Sequence, residues 1–232
     1  IVLGNKDRLL VCSSPTGPAF EGGEISAGQR ATAGAIERVR IDRETLEPKF
    51  RVIGSELWST EADFADSTKE LNITGICGSG IIEVVAEMFL AGIISEDGIV
   101  DGALAERSSR VRSHGRTWSY VLHFAEDETQ RDIVVTQNDV RQIQLAKAAL
   151  YAGIKLLMDK MGVSEVDRIR LAGAFGSHIS VEHAMVLGLI PDCSLDHVSS
   201  AGNAAGVGAR IALLDHGARE GIQRTVNKAE RI

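Results

Sequence analysis

The sequence has no cluster of lysine and arginine and no long apolar run. Its 25 Lys and Arg residues are outnumbered by 32 Asp and Glu residues, which gives a formal net charge of −7. Because a nucleic-acid-binding protein needs a basic face, we predict that nucleic acid is not a partner. No apolar run approaches the roughly 20 residues of a membrane span, and no secretory signal is present, so we predict no membrane partner either.

Cysteine is scarce and dispersed. Cys12, Cys77 and Cys193 lie far apart, and no C-x-x-C spacing occurs. An iron–sulfur cluster usually needs four thiolates, so we predict no redox centre within these residues. Three histidines near Cys193 match no common spacing of metal ligands, so we predict no metal site. Reduced thiols are typical of a cytoplasmic protein, which is the location we expect.

Several catalytic motifs are also missing. The sequence contains neither the Rossmann pattern G-x-G-x-x-G nor the P-loop pattern G-x-x-x-x-G-K-[ST], and it has no G-x-S-x-G elbow of a serine hydrolase. It opens as Ile1-Val2-Leu3, without an initiator methionine and already with the pattern of a strand. Because a buried strand needs partners for its backbone groups, we expect a fragment of a longer protein.

A strand followed by glycines is the most informative stretch that is present. Residues 168–172 alternate charged and apolar side chains, which predicts a half-buried strand. Gly173, Ala174, Phe175 and Gly176 follow, and glycines at such a turn let the backbone approach another molecule closely. The alternative is that these glycines only make the turn between a strand and a helix.

A second glycine-rich turn precedes a strongly apolar segment. Gly78, Ser79 and Gly80 are followed by residues 81–92, whose apolar side chains cover almost every direction of a helix and predict a buried one. The unpaired N–H groups at its start favour an anion. The alternative is that the glycines let the helix pack closely.

The firmest secondary-structure prediction is an amphipathic helix over 136–161. A capping box starts it at Thr136, and apolar residues then recur at helical spacing. Gln144 and Lys147 lie off the apolar stripe, where they either contact a ligand or are simply solvated. Two hairpins are predicted in 1–14 and 35–53.

The remaining stretches are rich in small or polar residues. Residues 15–24 have the Gly and Pro content of a loop, which either borders a site or is a plain surface connection. Residues 202–212 predict a helix of small residues, in which each interior glycine costs about 1 kcal/mol relative to alanine. We therefore expect another backbone or a ligand to come close to it. Residues 218–232 predict an irregular polar tail.

The order of these elements resembles the second lobe of the ATPase superfamily of actin, sugar kinases and heat-shock chaperones. This implies an α/β, ribonuclease-H-like fold, with a core of residues 1–33 and 132–232 and a large insertion subdomain of residues 34–131. In that superfamily a strand and a Gly-Gly loop contact adenosine. The stretch 171–176 is similar to that motif and 202–212 to the small-residue helix, although Ala174 replaces the second glycine.

Four motifs in order narrow the resemblance to the reductive activators of corrinoid proteins: Gly17–Gly22, Ile76–Ile82, Gln144–Ala149 and Gly202–Gly206. That family uses ATP to help return cob(II)alamin-type cofactors to cobalt(I) for methyl transfer. The resemblance implies a corrinoid protein or corrinoid-dependent methyltransferase as partner. It also implies an iron–sulfur cluster in an N-terminal ferredoxin-type domain outside these residues. A homodimer of the intact protein stays open.

The resemblance implies a binding site for ATP with magnesium but not a complete one. The Asp-x-Gly-Thr motifs that hold phosphate and magnesium in that superfamily are missing. We therefore expect weak nucleotide binding here, and ATPase activity only in the full-length protein. The expected binding residues, which would have to converge in space, are Gly78, Ser79, Gly80, Gln144, Lys147, Gly173, Ala174, Phe175 and Gly176. The alternative is a docking domain that keeps the fold without binding ATP.

Overall fold

The computed structural model describes residues 1–125 and 130–232. It divides into two compact units, one of residues 1–15 with 147–232 and one of residues 16–146. The predicted insertion subdomain, residues 34–131, lies within the second unit. That unit also contains residues 16–33 and 132–146, which the predicted division grouped with the core.

The described residues form ten strands and seven α-helices. The strands are β1 (Val2–Gly4), β2 (Leu9–Val11), β3 (Ile36–Ile41), β4 (Pro48–Val52), β5 (Val111–His114), β6 (Thr117–His123), β7 (Ile133–Thr136), β8 (Ile169–Ala172), β9 (Val198–Gly202) and β10 (Ala229–Arg231). The helices are α1 (Phe64–Thr68), α2 (Gly78–Leu90), α3 (Gln137–Met161), α4 (Ala174–His178), α5 (Val181–Val186), α6 (Ala204–Leu214) and α7 (His216–Lys228). Both predicted hairpins, the buried helix and the long amphipathic helix are confirmed.

The first unit contains two small sheets. Strand β2 pairs antiparallel with β1 and parallel with β10, while β8 pairs parallel with β9. The predicted irregular tail, residues 218–232, is wrong, because these residues form most of α7 and all of β10. Asp215 caps α7 by accepting from the N–H of Ala218 at 3.1 Å, and Arg219 Nε donates to the carbonyl of Ala212 at 2.6 Å. These polar contacts define a helix that apolar periodicity did not reveal.

The second unit is built around α2, whose side chains are buried over most of its length. The β3–β4 hairpin and the antiparallel sheet β5-β6-β7 belong to the same unit. The hydroxyl of Tyr120, on β6, donates to the carbonyl of Leu46 at 2.9 Å. Burial raises the pKa of Tyr120, so this phenol stays protonated and keeps that hydrogen bond across the physiological pH range.

Two glutamates of α2 satisfy the backbone of strand β3. Glu83 Oε2 accepts from the N–H of Val39 at 3.0 Å, and Glu87 Oε2 accepts from the N–H of Ile41 at 2.9 Å. Alternate residues of a strand present their N–H groups about 7 Å apart, which matches the spacing of helix side chains one turn apart. The polar line of α2 therefore replaces a neighbouring strand along this buried edge.

The predicted capping box of α3 is confirmed. The N–H of Thr136 donates to Asp139 Oδ2 at 2.8 Å, and the N–H of Asp139 donates to Thr136 Oγ1 at 3.2 Å. Asp139 is fully buried, and its other oxygen accepts from the N–H and hydroxyl of Ser26 at 2.7 and 3.0 Å. One carboxylate thus starts α3 and fixes the glycine-rich loop that precedes β3, which explains why that loop groups with the second unit.

We predict that Glu83→Ala lowers the free energy of unfolding by about 3 kcal/mol, because it leaves the N–H of Val39 and two arginines without their buried acceptor. Urea denaturation of the wild type and the variant measures the difference. Glu96→Ala is the matched control, since Glu96 is exposed and its loss should change stability by less than about 0.5 kcal/mol. A loss below about 1 kcal/mol for Glu83→Ala would contradict the assigned role.

Candidate functional site

Strand β8 ends at a single glycine rather than at a loop. Gly173 has φ +99°, and its N–H donates to the carbonyl of Gly202 at 2.7 Å. Ala174 and Gly176 already belong to α4, so the predicted four-residue glycine loop is wrong. The chain turns at one residue and enters a helix because that residue adopts a left-handed φ that favours glycine. The side chains of Ala174 and Phe175 lie outside what the structure describes.

A second glycine turn lies beside the first one. Gly202 ends β9, the parallel neighbour of β8, with φ +56°. Asn203 then caps α6 by accepting from the N–H of Gly206 at 2.9 Å. Between the two strand ends, the hydroxyls of Ser177 and Ser200 are hydrogen-bonded at 2.9 Å. The carboxyl ends of parallel strands are where α/β proteins bind ligands, so this edge is a candidate site in the first unit.

The glycines near this edge differ in how much room each would leave for a side chain. A Cβ added to Gly173, Gly202 or Gly208 would meet no atom of the described residues within 4 Å. A Cβ on Gly176 would lie 3.0 Å from both the carbonyl carbon and the Cβ of Leu171. Gly176 is therefore explained by the packing of α4 on β8, whereas Gly173 and Gly202 border open space. A valine at position 176 would therefore strain this packing.

Gly202 was not among the nine predicted binding residues, although the sequence predicted that a ligand or another backbone comes close to residues 202–212. Residues 198–202 repeat the arrangement of residues 169–173, in which a short strand ends in a left-handed glycine and a helix follows. That repetition was a usable signal, because consecutive parallel strands bring their carboxyl ends to one edge. The register of the two strands, which sets Ala172 opposite Gly202, cannot be deduced from either stretch alone.

The start of α2 is consistent with both explanations that the sequence allowed, close helix packing and anion binding. A Cβ on Gly80 would lie 2.2 Å from the carbonyl oxygen of Ile36, so this glycine is required for close packing of α2 on β3. Gly78, Ser79 and Gly80 are all buried, and the N-cap residue Cys77 provides no side-chain hydrogen bond. Among the described residues, no acceptor pairs with their backbone N–H groups. A buried helix start of this kind favours an anion or water as the missing acceptor.

Gln144 and Lys147 differ in how far their side chains are engaged. The Nε2 of Gln144 donates to the carbonyl of Asp97 at 2.9 Å, and its Oε1 accepts from Arg141 at 3.2 Å. A ligand would have to displace these contacts. Lys147 is half-buried, and its Nζ lies 3.6 Å from the position that a Cβ on Gly188 would take. Within the described part of the chain, its ammonium makes no ion pair.

The nine predicted binding residues divide between the two units. Lys147 and residues 173–176 belong to the first unit, and residues 78–80 with Gln144 belong to the second. Their convergence on one nucleotide stays a prediction. Across residues 1–125 and 130–232, no group of three or more His, Cys, Asp or Glu side chains could hold a metal ion. No described helix is long and apolar enough to cross a membrane.

Comparison with known proteins supports the α/β fold and extends it to a family. The chain is 35% identical over 222 residues to the corrinoid activation enzyme RamQ of Eubacterium limosum, covering 92% of this chain and 35% of that protein. It is 25% identical over 195 residues to the [Co(II) methylated amine-specific corrinoid protein] reductase of Methanosarcina barkeri, covering 80% of this chain and 32% of that protein. The chain therefore spans about a third of the length of these relatives.

A solved structure and a family model agree with this relationship. The structure of a reductive activator for corrinoid,iron-sulfur protein matches with a TM-score of 0.82 and 35% identity, over 100% of this chain and 35% of that one. The model of the family described as the C-terminal domain of RACo, the ASKHA domain, matches residues 1–232. Both confirm the resemblance and the α/β ATPase-type fold inferred from the sequence. Because the family model covers the whole chain, this protein belongs to the family of RACo C-terminal ASKHA domains.

Proposed function

We propose that this chain is the nucleotide-binding lobe of an ATP-dependent reductive activator of corrinoid proteins. The observation that supports this best is the pair of adjacent glycine turns, Gly173 and Gly202, at the carboxyl edge of the parallel strands β8 and β9. Among the described residues, neither glycine has a neighbour within 4 Å of an added Cβ, so a flat ligand such as adenosine can approach the backbone there. The names of the relatives supply the corrinoid part of the proposal.

The glycine turns are suited to binding rather than to phosphate chemistry. They offer backbone groups, the hydroxyls of Ser177 and Ser200, and the amide of Asn203. Phosphoryl transfer instead depends on a metal ion held by carboxylates around the γ-phosphate. We expect the carboxylates that hold Mg²⁺ to lie in the rest of a longer protein. Glu21 and Glu24, both exposed in the glycine-rich loop, could assist a metal anchored elsewhere.

In the full protein, ATP binding by this lobe would assist reduction of a cobalt(II) corrinoid to cobalt(I). The electron would come from an iron–sulfur cluster outside residues 1–232, and the electron acceptor would be a corrinoid protein or corrinoid-dependent methyltransferase. We propose that this takes place in the cytoplasm. ATP hydrolysis would belong to the full-length protein, with this lobe contributing the adenosine side of the site.

A docking domain without nucleotide is the second candidate function. Its supporting observation is Ala174, which replaces a glycine of the motif and begins α4 directly after Gly173. Because alanine carries a Cβ where the motif has glycine, it leaves less room for adenine to approach the backbone. Nucleotide titration separates the two candidates.

We predict that this chain binds a non-hydrolysable ATP analogue weakly, with a Kd above about 100 μM, and does not hydrolyse ATP. The full-length protein should bind the analogue more tightly in the presence of Mg²⁺ and hydrolyse ATP slowly or when its partner is present. Isothermal titration calorimetry and phosphate release on both proteins measure this. Magnesium-dependent turnover by residues 1–232 alone would show that the phosphate site is misplaced, and no binding by either protein would favour the docking domain.

We predict that Gly208→Ala raises the free energy of unfolding by about 0.5–1 kcal/mol, because alanine favours a helix interior and its Cβ meets no neighbour among the described residues.

Gly208→Leu should also fold, but it should weaken binding of the ATP analogue by the full-length protein if α6 borders the nucleotide. Thermal unfolding and calorimetry measure the two effects.

The control is Ala209→Leu, one residue further along α6 on a different side of the helix. It adds the same side chain at an exposed position, so it should leave nucleotide affinity within about twofold. Equal losses in both variants would point to a general disturbance of α6, and no loss in either would remove α6 from the site.

A further inference from the structure

Four cations share the outer face of the β3–β4 hairpin, and we call them the basic hairpin face: Arg38, Arg40, Lys49 and Arg51. The register places Arg38 directly opposite Arg51, and Arg40 directly opposite Lys49. Like charges directly opposite one another on neighbouring strands destabilise a sheet. Two such pairs in one short hairpin therefore oppose its folding. Features that oppose folding without a local gain tend to mark functional surfaces.

Trp58 lies at the centre of this face. Its ring centroid is 5.9 Å from Cζ of Arg40, 5.1 Å from Nζ of Lys49 and 5.7 Å from Cζ of Arg51. These distances fit cation–π contacts, which offset part of the repulsion. The next residue fixes the position of the ring, because Ser59 exchanges hydrogen bonds of 2.8 and 3.0 Å with the backbone of Phe50.

Among the described residues, carboxylates contact this face from below and at one edge. Glu83, with 1% of its side chain exposed, pairs with Arg38 at 3.0 Å and Arg40 at 2.6 Å. Arg51 pairs with Glu56, whose side chain is 95% exposed. Lys49 is exposed, and no carboxylate of the described residues pairs with it. The Nε of Arg51 is a buried nitrogen without a hydrogen-bond partner among those residues.

We propose that the basic hairpin face is the surface on which an acidic patch of the corrinoid protein docks. This inference rests on the proposed function, since it names the partner of that activity. Carboxylates from the partner would take the place of the exposed Glu56 side chain at Arg51 and pair with Lys49, which has no carboxylate partner among the described residues. Such charge pairing between proteins mainly increases the association rate and fixes the orientation of the partners.

The chemistry of the face favours a protein over a nucleic acid. A nucleic-acid site usually stacks bases on an exposed aromatic ring, but three cations already surround the ring of Trp58. Permanent interfaces within one chain or oligomer are depleted in charge, whereas short-lived ones are more polar. A face with four cations and one aromatic ring therefore suits a transient complex with a partner protein.

The most informative variant is Lys49→Glu, because it separates docking from stability. The new carboxylate would lie directly opposite Arg40 and convert a repulsive pair into an attractive one. We expect the thermal stability of the full-length protein to stay the same or rise, while its affinity for the corrinoid protein falls about tenfold. Lys69→Glu, at an exposed position outside the hairpin, makes the same change of net charge and should leave the affinity within about twofold.

Affinity is measured by biolayer interferometry at low and moderate salt, together with ATP hydrolysis in the absence of the corrinoid protein. Wild-type binding should weaken as salt increases, and the Lys49→Glu variant should show a smaller salt dependence. Its basal hydrolysis should equal that of the wild type. Unchanged affinity in Lys49→Glu overturns the docking surface, even where nucleotide binding and corrinoid reduction confirm the proposed function. Absence of any binding to the corrinoid protein overturns both.

Carbodiimide cross-linking, which joins an amine directly to a carboxylate, tests the contact itself. We expect Lys49 to be linked to an Asp or Glu of the corrinoid protein, and this product should disappear in Lys49→Arg, which keeps the charge without the amine. Links from Lys49 only to other parts of the same chain would overturn the proposal. So would competition by a single-stranded oligonucleotide for the same variant-sensitive surface.

Discussion

The buried edge of strand β3 that pairs with no other strand is the constraint on which the second unit depends. A buried N–H without an acceptor costs about 1–3 kcal/mol, and here the acceptors are the carboxylates of Glu83 and Glu87 rather than another strand. For these carboxylates to reach, α2 must pack closely on β3, and that packing requires a glycine at position 80. The buried glutamates and the glycine-rich helix start thus both serve to provide acceptors for the buried N–H groups of β3.

The same requirement limits what the start of α2 can do. Close packing buries Gly78, Ser79 and Gly80 together with their backbone N–H groups. Burial strengthens any interaction of these groups with an anion, because the local dielectric constant is low. The two explanations for this stretch, tight packing and anion binding, are therefore compatible. Gly80 is explained by packing, while the unpaired N–H groups still favour an anionic ligand.

Local patterns in the sequence predicted most of the elements, because periodicity and capping are encoded over a few residues. The capping box at Thr136 and Asp139, the hairpins and the buried helix all follow from such signals. Helix α7 was not predicted because its stabilising contacts are polar, from Asp215 and Arg219, and its apolar residues are few. The role of Gly202 depended on the register of β8 and β9, and the role of Gly176 on the packing of α4 against Leu171. Only the folded chain defines either of these. The sequence around residues 174–178 also did not show that α4 would form where a loop was expected.

The basic hairpin face likewise could not be predicted from the order of charged residues along the chain. Residues 38, 40, 49 and 51 are interrupted by apolar residues and a turn, so no basic cluster is visible along the chain. Strand alternation places all four on one face, and antiparallel register sets like charges opposite each other. The hairpin tolerates this because the buried Glu83 draws in two of the arginines while it also accepts from the β3 backbone. The carboxylate that completes the edge of β3 therefore also permits the charge that β3 and β4 present to solvent, and the stability of the hairpin and its suitability for an acidic partner depend on one buried side chain.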